Sequence, residues 1–310
     1  MTDTDLILHQ YEMSPFSEKA RRLFAWKRLP WKAVRAPAVM PKPDIVALTG
    51  GYRKTPILQI GNHVYCDTAL IARVLERLSP APTFYPSPVA ESLAEWADTT
   101  LFEVTVPVAM RPTRFDDVLQ HMKPEELSKI QDDRAAMREG ARRKPPPLAA
   151  SKAHLAVYLA RLDRTLEAQP FLLGEAPCIA DFSAYHSAWF LQTMVPEPLE
   201  PFVHLRAWMA RIAALPMGHV TPLTSEEALR ICRESPRELR PTGAFEDTGG
   251  LELGKKWVVR AVDYGRDPVE GELVHATADE VALRREDPRA GTVFVHFPRI
   301  GYEIAEPRGE

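Results

Sequence analysis

Cysteine is scarce in this sequence and follows no recognisable spacing. Cys66, Cys178 and Cys232 are the only three among 310 residues, and no two of them form a Cys-x-x-Cys pair. An odd number of widely separated cysteines argues against a disulfide framework and against the paired spacing of zinc sites. We therefore expect no bound metal and a reducing compartment, for which the cytoplasm is the simplest choice.

Long hydrophobic runs and an excess of charge are absent as well. No apolar run approaches the roughly 20 residues that a membrane-spanning helix needs. The formal net charge is −3, so the chain as a whole does not attract nucleic acid or anionic membranes. The N-terminal stretch Met1–Asp5 is polar and acidic and does not resemble a secretory signal. We expect neither nucleic acid nor a membrane as a partner.

Proline is abundant, and its distribution suggests where the domains divide. Four of the 29 prolines lie within residues 80–88, which predicts a stiff linker. The linker separates a first domain, residues 1–80, from a second, residues 89–234, and the pattern changes again in residues 235–310. We expect three parts with these boundaries.

The first part has the pattern of an α/β layer domain. A short apolar run at Leu6–Leu8 predicts a strand, and Ser14-Pro15 is a typical helix start because Ser caps well and Pro is favoured at the first helical position. Two apolar runs around Gly61-Asn62 predict a β-hairpin, and Asp67 is placed to cap the helix that follows. The predicted order is βαβ, hairpin, helix.

The second part is helical in pattern almost throughout. Residues 179–195 are apolar nearly all round, which predicts a buried central helix. Residues 111–147 are charged and end in three consecutive prolines, so we expect a mobile insertion there.

The third part contains short runs typical of strands, separated by Gly, Asp and Pro turns. The runs are Trp257–Val262, Gly271–Ala276, Glu280–Leu283 and Thr292–Phe297. Their β-branched and aromatic content argues against disorder. We expect a small antiparallel β unit, for which a barrel is one possible form, that docks on the rest of the chain.

Four segments, in order, resemble motifs of the cytosolic glutathione transferases, with a serine-type, tau-like N-terminal motif. They are Tyr11–Arg21, Lys54–Leu58, Tyr65–Ile71, and Pro170–Gly174 followed by Ile179–Asp181. Each motif alone is weak, but four in the right order and spacing are specific. The resemblance covers about residues 5–215 and implies a thioredoxin-like domain followed by an all-helical domain, with the β unit appended.

The resemblance implies that Ser14 activates the thiol of glutathione. A free thiol has a pKa of about 8.5, which a helix N-terminus can lower to roughly 3.5–7.5. A hydroxyl at this point can donate a hydrogen bond to the thiolate. The alternative is that Ser14 serves only as a helix cap, and Ser17 and Tyr11 are the alternative donors.

The other glutathione contacts implied by the resemblance lie in two segments. Thr55, which precedes the cis-proline Pro56, would pair its backbone with the cysteinyl part of glutathione, and Lys54 would reach the glycyl carboxylate. Asp67 and Thr68 would bind the γ-glutamyl end. Asp-Thr replaces the Glu-Ser that the family often has, and so shortens the acidic side chain by one methylene. Lys42 is a further candidate for the glycyl carboxylate, or a surface lysine.

The helical-domain motif departs from the family at Cys178, where Ser or Thr is usual. Cys178 is a poor helix cap, so we expect a buried apolar role for it and a structural role for Asp181. We expect Cys66 to be a core residue.

The leading functional hypothesis is a glutathione transferase that attacks a small apolar electrophile, with glutathione as co-substrate. Phe102, Met110 and Trp189 are candidate lining residues for the electrophile. The alternatives are a non-catalytic glutathione-binding or regulatory module and a glutathione-dependent thiol reductase. Family members pair as homodimers, so we expect a homodimer. The β unit could support the structure or the dimer, cover the cleft, or bind a partner.

Overall fold

A computed structural model describes residues 5–110, 124–141, 144–234, 238, 243–245 and 249–307. Most of the N-terminal stretch Met1–Asp5, part of the predicted insertion, and the chain immediately after the proposed boundary at residue 234 lie outside the described residues. The three predicted domain ranges themselves stay predictions.

The N-terminal part is a sheet of four strands with three helices, in the predicted order βαβ, hairpin, helix. The elements are β1 (Ile7–Gln10), α1 (Pro15–Lys27), β2 (Trp31–Arg35), α2 (Pro43–Thr49), β3 (Ile57–Ile60), β4 (His63–Cys66) and α3 (Thr68–Leu78). Strand β1 pairs in parallel with β2 and antiparallel with β3, and β3 pairs antiparallel with β4. This is the thioredoxin-like arrangement that the sequence predicts.

Local sequence explains where α1 begins and ends. Ser14 is the N-cap and accepts a hydrogen bond from the backbone N–H of Ser17, while Pro15 occupies the first helical position. Arg28 ends the helix in the left-handed conformation, with φ of 53°. The helix therefore starts at the point where the resemblance places the reactive group.

The second part is helical. Its helices are α4 (Pro88–Trp96), α5 (Phe102–Ala109), α6 (Pro124–Arg138), α7 (Leu148–Ala168), α8 (Ile179–Met194) and α9 (Val203–Ala213), and a π-helical turn, Ala97–Leu101, joins α4 to α5. As predicted, α8 is central: thirteen of its sixteen residues are buried. Residues 124–138 of the predicted insertion form the helix α6, and the expectation that the insertion is mobile stays a prediction.

Within the second part, which was predicted to be helical almost throughout, residues 220–223 are a strand, whereas residues 225–234 are helical as expected. After α9 the chain forms β5 (Val220–Leu223), which pairs in parallel with β2, and then α10 (Ser225–Glu234). Both elements lie against the N-terminal sheet, because β5 extends that sheet at its β2 edge and α10 contacts α2 and β2.

The third part is a run of antiparallel strands, and it is folded and docked as predicted. The strands are β6 (Lys256–Ala261), β7 (Val269–Ala276), β8 (Glu280–Asp287), β9 (Gly291–Pro298) and β10 (Tyr302–Ala305). They form no separate barrel. Strand β9 pairs in parallel with β4, so all ten strands make one sheet in the order β10-β6-β7-β8-β9-β4-β3-β1-β2-β5.

Two hydrophobic cores hold these parts together. The larger one joins α1 and α3 to the helical domain and includes Phe24, Phe84, Phe182 and Trp208, all fully or almost fully buried. The second core is shared between α2, β3, β4 and the C-terminal strands. Because side chains of residues 251–297 complete the core beneath α2, the C-terminal strands are an integral part of the fold.

No helix in the described part of the chain is long and apolar enough to cross a membrane.

Candidate functional site

Ser14 lies at the N-terminus of α1 and is 2% exposed. Its Oγ accepts the Ser17 N–H at 3.1 Å and faces the Thr55 carbonyl oxygen at 3.5 Å. The second distance is at the outer limit of a hydrogen bond, so the hydroxyl proton is held weakly. Ser14 is therefore both a helix cap and an available hydrogen-bond donor at the positive end of a helix dipole.

The two alternative donors have different surroundings. Ser17 is fully buried, and its hydroxyl has no hydrogen-bond partner among the described residues. The hydroxyl of Tyr11 accepts a hydrogen bond from the Arg134 guanidinium of α6 at 3.2 Å. Tyr11 is thus held by a segment that the sequence did not connect with it.

The segment before β3 lies directly beside Ser14. The Thr55–Pro56 peptide bond is cis, as the resemblance implies. Lys42 donates from Nζ to the Arg53 carbonyl at 3.0 Å and to the Thr55 hydroxyl at 3.1 Å. Burial, together with the nearby Arg134 and Arg53, lowers the pKa of Lys42 to about 8. Lys42 is therefore a buried group that orients Thr55 and is no surface lysine.

Asp67 and Thr68 form the start of α3. Asp67 has φ of 78° and caps the helix, because its Oδ1 accepts the Ala69 N–H at 2.9 Å. Its Oδ2 accepts a hydrogen bond from the hydroxyl of Tyr302, in β10, at 3.1 Å. Burial raises the pKa of the Asp67 carboxyl, while the bond from the Ala69 N–H opposes this effect. Thr68 is 3% exposed.

Lys54 has a partner that the sequence analysis did not foresee. Its Nζ lies 2.5 Å from Oδ1 of Asp263 and 4.3 Å from the ring centroid of Tyr264. Both residues belong to the loop between β6 and β7. The loop approaches closely because residue 265 is a glycine, with φ of 60°, and a Cβ there would lie 3.2 Å from Cε of Lys54.

Helix α6 supports the same side of the site. Asp133 forms an ion pair with Arg53 and accepts the Met40 N–H at 3.0 Å. The carbonyl of Met137 accepts the Gly265 N–H at 2.6 Å, which fixes the β6–β7 loop against α6. The segment around Arg53 and Lys54 is thus enclosed by α6 and by the loop between β6 and β7.

An aromatic cluster lies on the other side of the α1 N-terminus. The ring centroids of Phe16 and Phe102 are 4.7 Å apart, and that of His186 lies 4.5 Å from Phe16. Phe102 therefore lies next to the start of α1. Met110 and Trp189, the other two candidates, are half-buried against the helical core.

A buried polar cluster joins α1 to the helical domain. Lys19 of α1 donates to Asp98 Oδ2 at 2.6 Å, and His186 Nε2 lies 3.0 Å from Asp98 Oδ1. Burial lowers the pKa of His186 despite the adjacent carboxylate. Asp98 lies in the π-helical turn, where the widened turn inserts an extra residue into the helix. This cluster fixes α1, and therefore Ser14, relative to α8.

The structural role expected of Asp181 agrees with the geometry, but the expectation that Cys178 is a poor helix cap is wrong: Cys178 and Asp181 form a capping box at the start of α8, and the Cys178 thiol donates to Asp181 Oδ2 at 3.3 Å. Asp181 is fully buried and accepts the Leu172 N–H, the Cys178 N–H and the indole N–H of Trp208 at 2.8, 3.0 and 2.8 Å. Cys178 is 1% exposed and Cys66 is fully buried in the core. Within the described ranges, no group of three or more His, Cys, Asp or Glu side chains has metal-site geometry.

Comparison with known proteins identifies the family. Residues 8–83 match the model of the glutathione S-transferase N-terminal domain, and residues 110–216 match that of the C-terminal domain. A GST-like protein from Pseudomonas syringae is 36% identical, with a TM-score of 0.82 over 98% of this chain and 100% of that chain. This chain belongs to the cytosolic glutathione transferase family.

More distant members share only the fold. FzlA from C. crescentus is 20% identical, with a TM-score of 0.50 over 69% of this chain and 89% of that chain. A glutathione S-transferase from Rhodospirillum rubrum is 19% identical, with a TM-score of 0.50 over 68% of this chain and 89% of that chain. None of the curated proteins matches this glutathione transferase family member.

The residues that sequence reasoning missed are Asp263 and Tyr264 in the loop between β6 and β7, Tyr302 in β10, and Asp133 and Arg134 in α6. No local pattern marks them as site residues, because their partners lie between 80 and 235 positions away in the chain. The aromatic content of the C-terminal runs indicated only that they are folded.

Proposed function

We propose that this chain is a glutathione transferase in which Ser14 activates the glutathione thiol for attack on a small apolar electrophile. The observation that carries the proposal is that Ser14, at the start of α1, lies 3.5 Å from the carbonyl oxygen of Thr55, which precedes the cis-proline Pro56, while helix α3, which begins at Thr68, packs against α1. These are the segments that an extended γ-glutamyl tripeptide requires, one for each part of the molecule.

Ser14 has the position and the free donor that thiolate stabilisation needs. The helix N-terminus supplies partial positive charge, and the hydroxyl can leave its 3.5 Å contact with the Thr55 carbonyl at little cost. Both effects favour the thiolate over the thiol, so the pKa of the bound thiol falls. The thiolate is the species that attacks the electrophile.

The remaining contacts hold the peptide. In this proposal the Thr55 backbone pairs with the cysteinyl unit, and Lys42 keeps the Thr55 side chain in place. Asp67 binds the γ-glutamyl ammonium, and Thr68 with the first N–H groups of α3 binds the carboxylate. The electrophile lies against Phe16 and Phe102.

One observation favours the non-catalytic alternative. Lys54 and Asp67 already have partners in the C-terminal part, Asp263 in the β6–β7 loop and Tyr302 in β10, so glutathione binds to groups that are partly engaged. The reductase alternative has less support, because Cys66, Cys178 and Cys232 are all buried and burial raises the pKa of each thiol. Ser14 stands where a reductase of this family would need cysteine.

The first prediction concerns Asp67→Asn. Asparagine tolerates the positive φ of residue 67 and still caps α3, so the change removes the charge and leaves the backbone intact. A hydrogen bond to a charged group is worth about 1.5–3 kcal/mol, so glutathione affinity falls by about 10- to 150-fold. Calorimetric titration of the full chain with glutathione measures it.

The matched control is Glu270→Gln, which removes one exposed carboxylate from the start of β7. It should leave glutathione affinity unchanged. Equal affinity of the wild type and of Asp67→Asn would show that the site assignment is wrong.

We also propose that the chain is a cytoplasmic homodimer, as is common among its relatives, and that no metal takes part.

A further inference from the structure

The loop between β6 and β7 brings a carboxylate of the chain itself to Lys54. Asp263 lies 2.5 Å from the Lys54 ammonium, and the lysine side chain is 13% exposed whereas the aspartate is 47% exposed. The ring of Tyr264 lies against the same ammonium. Lys54 therefore has both an anionic and an aromatic partner before any ligand arrives.

This contact is fixed by the backbone around it. Gly265 donates its N–H to the Met137 carbonyl, and its lack of a Cβ leaves room for the Lys54 side chain. Strands β6 and β7, which carry the loop, belong to the ten-stranded sheet. The backbone of the loop that carries Asp263 is thus held beside Lys54 by its hydrogen bond to α6 and by the two strands that flank it.

Lys54 is the residue that the family resemblance implies for the glycyl carboxylate of glutathione. With Asp263 in place, the charge of Lys54 is compensated, and a glycyl carboxylate at that point would face a second carboxylate. Like charges this close disfavour the ionised ligand. An uncharged glycyl end meets no such repulsion.

The γ-glutamyl end of the site is different. Asp67 accepts hydrogen bonds from two neutral donors, the Ala69 N–H and the Tyr302 hydroxyl. No Lys or Arg of the described residues forms an ion pair with Asp67, although against the larger effect of burial Lys54 and Lys19 act on its carboxyl at longer range and lower its pKa. A carboxylate has about four lone-pair sites, so Asp67 retains the capacity to accept hydrogen bonds from an ammonium group.

We propose that Asp263 determines specificity, and that the site prefers γ-glutamyl thiols whose glycyl end carries no negative charge, such as glutathione amidated at glycine. This inference rests on the proposed function. It adds that the negative charge at the glycyl end of the site is the carboxylate of Asp263, which belongs to the protein and not to the ligand.

Calorimetric titration of the full chain with two probes tests it: glutathione and its glycyl monoethyl ester, which lacks the glycyl charge. The wild type should bind the ester at least as tightly as glutathione. Asp263→Asn frees the charge of Lys54, so the ratio of glutathione affinity to ester affinity should rise tenfold or more. Glu270→Gln is the control and should leave the ratio unchanged.

Three outcomes would overturn the inference. If the wild type prefers glutathione and Asp263→Asn does not alter this preference, the charge of Asp263 does not affect which ligand binds. An equal gain for both probes would show that Asp263 only closes the site. If both probes bind, lose affinity in Asp67→Asn, and keep the same affinity ratio in Asp263→Asn, this inference alone fails. If neither probe binds to the wild type or to any variant, the proposed function fails as well.

Discussion

His9, a buried residue of β1, makes the stability of the fold depend on pH. It is fully buried, and its Nε2 lies 2.8 Å from Oε1 of Gln59 on the neighbouring strand β3. The amide nitrogen of Gln59 donates to the carbonyls of Gly61 and Ala228, so its oxygen must face the imidazole. His9 therefore carries its proton on Nε2 and is neutral.

The second prediction follows from the pKa of His9. Burial lowers it from 6.5 to about 4, although the hydrogen bond to Gln59 opposes this shift. Between pH 6.5 and 4 the unfolded chain therefore binds a proton that the folded chain does not. The free energy of unfolding falls as the pH is lowered through this window. A shift of this size corresponds to about 3 kcal/mol, present above pH 6.5 and lost below pH 4.

The variant His9→Gln tests the assignment, since its amide can still donate to Gln59 but does not titrate. Urea unfolding at neutral pH and at about pH 4.5 should show a smaller acid-induced loss in the variant than in the wild type. Equal losses in the two chains would mean that His9 does not titrate in this window.

Residues identified from the sequence were those whose neighbours are local. The sequence predicted Ser14, before Pro15, and Asp67, before Thr68, as helix caps. This was possible because a cap accepts hydrogen bonds from N–H groups only two or three positions ahead. Lys54 was readable as a site residue but its partner was not, because Asp263 is 209 positions away. Specificity at such a site depends on tertiary contacts that no local pattern contains.

At the scale of elements, the helices and the hairpin of the N-terminal part were predictable, since each has its own periodicity and start signal. Helix α6 was not, because its charged sequence lacks a clear apolar face. Strand β5 was also missed. It is only four residues long and alternates between exposed and half-buried positions, so its pairing with β2 leaves little trace in the hydrophobic pattern.

The partner of strand β9 was equally hidden from the sequence. Its apolar residues mark it as a strand, but nothing in them specifies parallel pairing with β4. A buried polar chain secures that junction. His63 Nδ1 lies 2.9 Å from His296 Nε2, and His296 Nδ1 lies 2.7 Å from Glu280 Oε1, whose other oxygen pairs with Arg77 of α3.

This chain of groups stabilises the charged form of Glu280. Burial alone would raise the pKa of the carboxyl, but the His296 hydrogen bond and the Arg77 ion pair outweigh it and lower the pKa to about 2. The C-terminal strands are thus tied to both β4 and α3, the elements that carry Asp67.

At the scale of the whole molecule, the C-terminal strands cover what would otherwise be an open edge of the N-terminal sheet. An unpaired β4 would present free backbone groups to other chains. The structural neighbour from Pseudomonas syringae matches 98% of this chain, so the C-terminal extension falls largely within the shared fold. The more distant relatives match only about two thirds of this chain.

The third prediction is the oligomeric state. The resemblance implies that the α/β domain of one subunit pairs with the helical domain of the other. Light scattering at micromolar protein should then give about twice the monomer mass of 34.9 kDa. A mass equal to that of the monomer would contradict the homodimer.

The central claim, that Ser14 at the start of α1 converts bound glutathione to its thiolate, has one direct measurement. The full chain is saturated with glutathione, and the ultraviolet absorbance of the thiolate is followed against pH in the wild type and in Ser14→Ala. In the wild type the pKa of the bound thiol should lie at least about one unit below the free value of about 8.5. Ser14→Ala should return most of that shift, since the alanine keeps the helix dipole but removes the donor. A bound thiol that titrates at its free value in the wild type, or a lowered pKa that moves with Ser17→Ala or Tyr11→Phe instead of Ser14→Ala, would contradict the account.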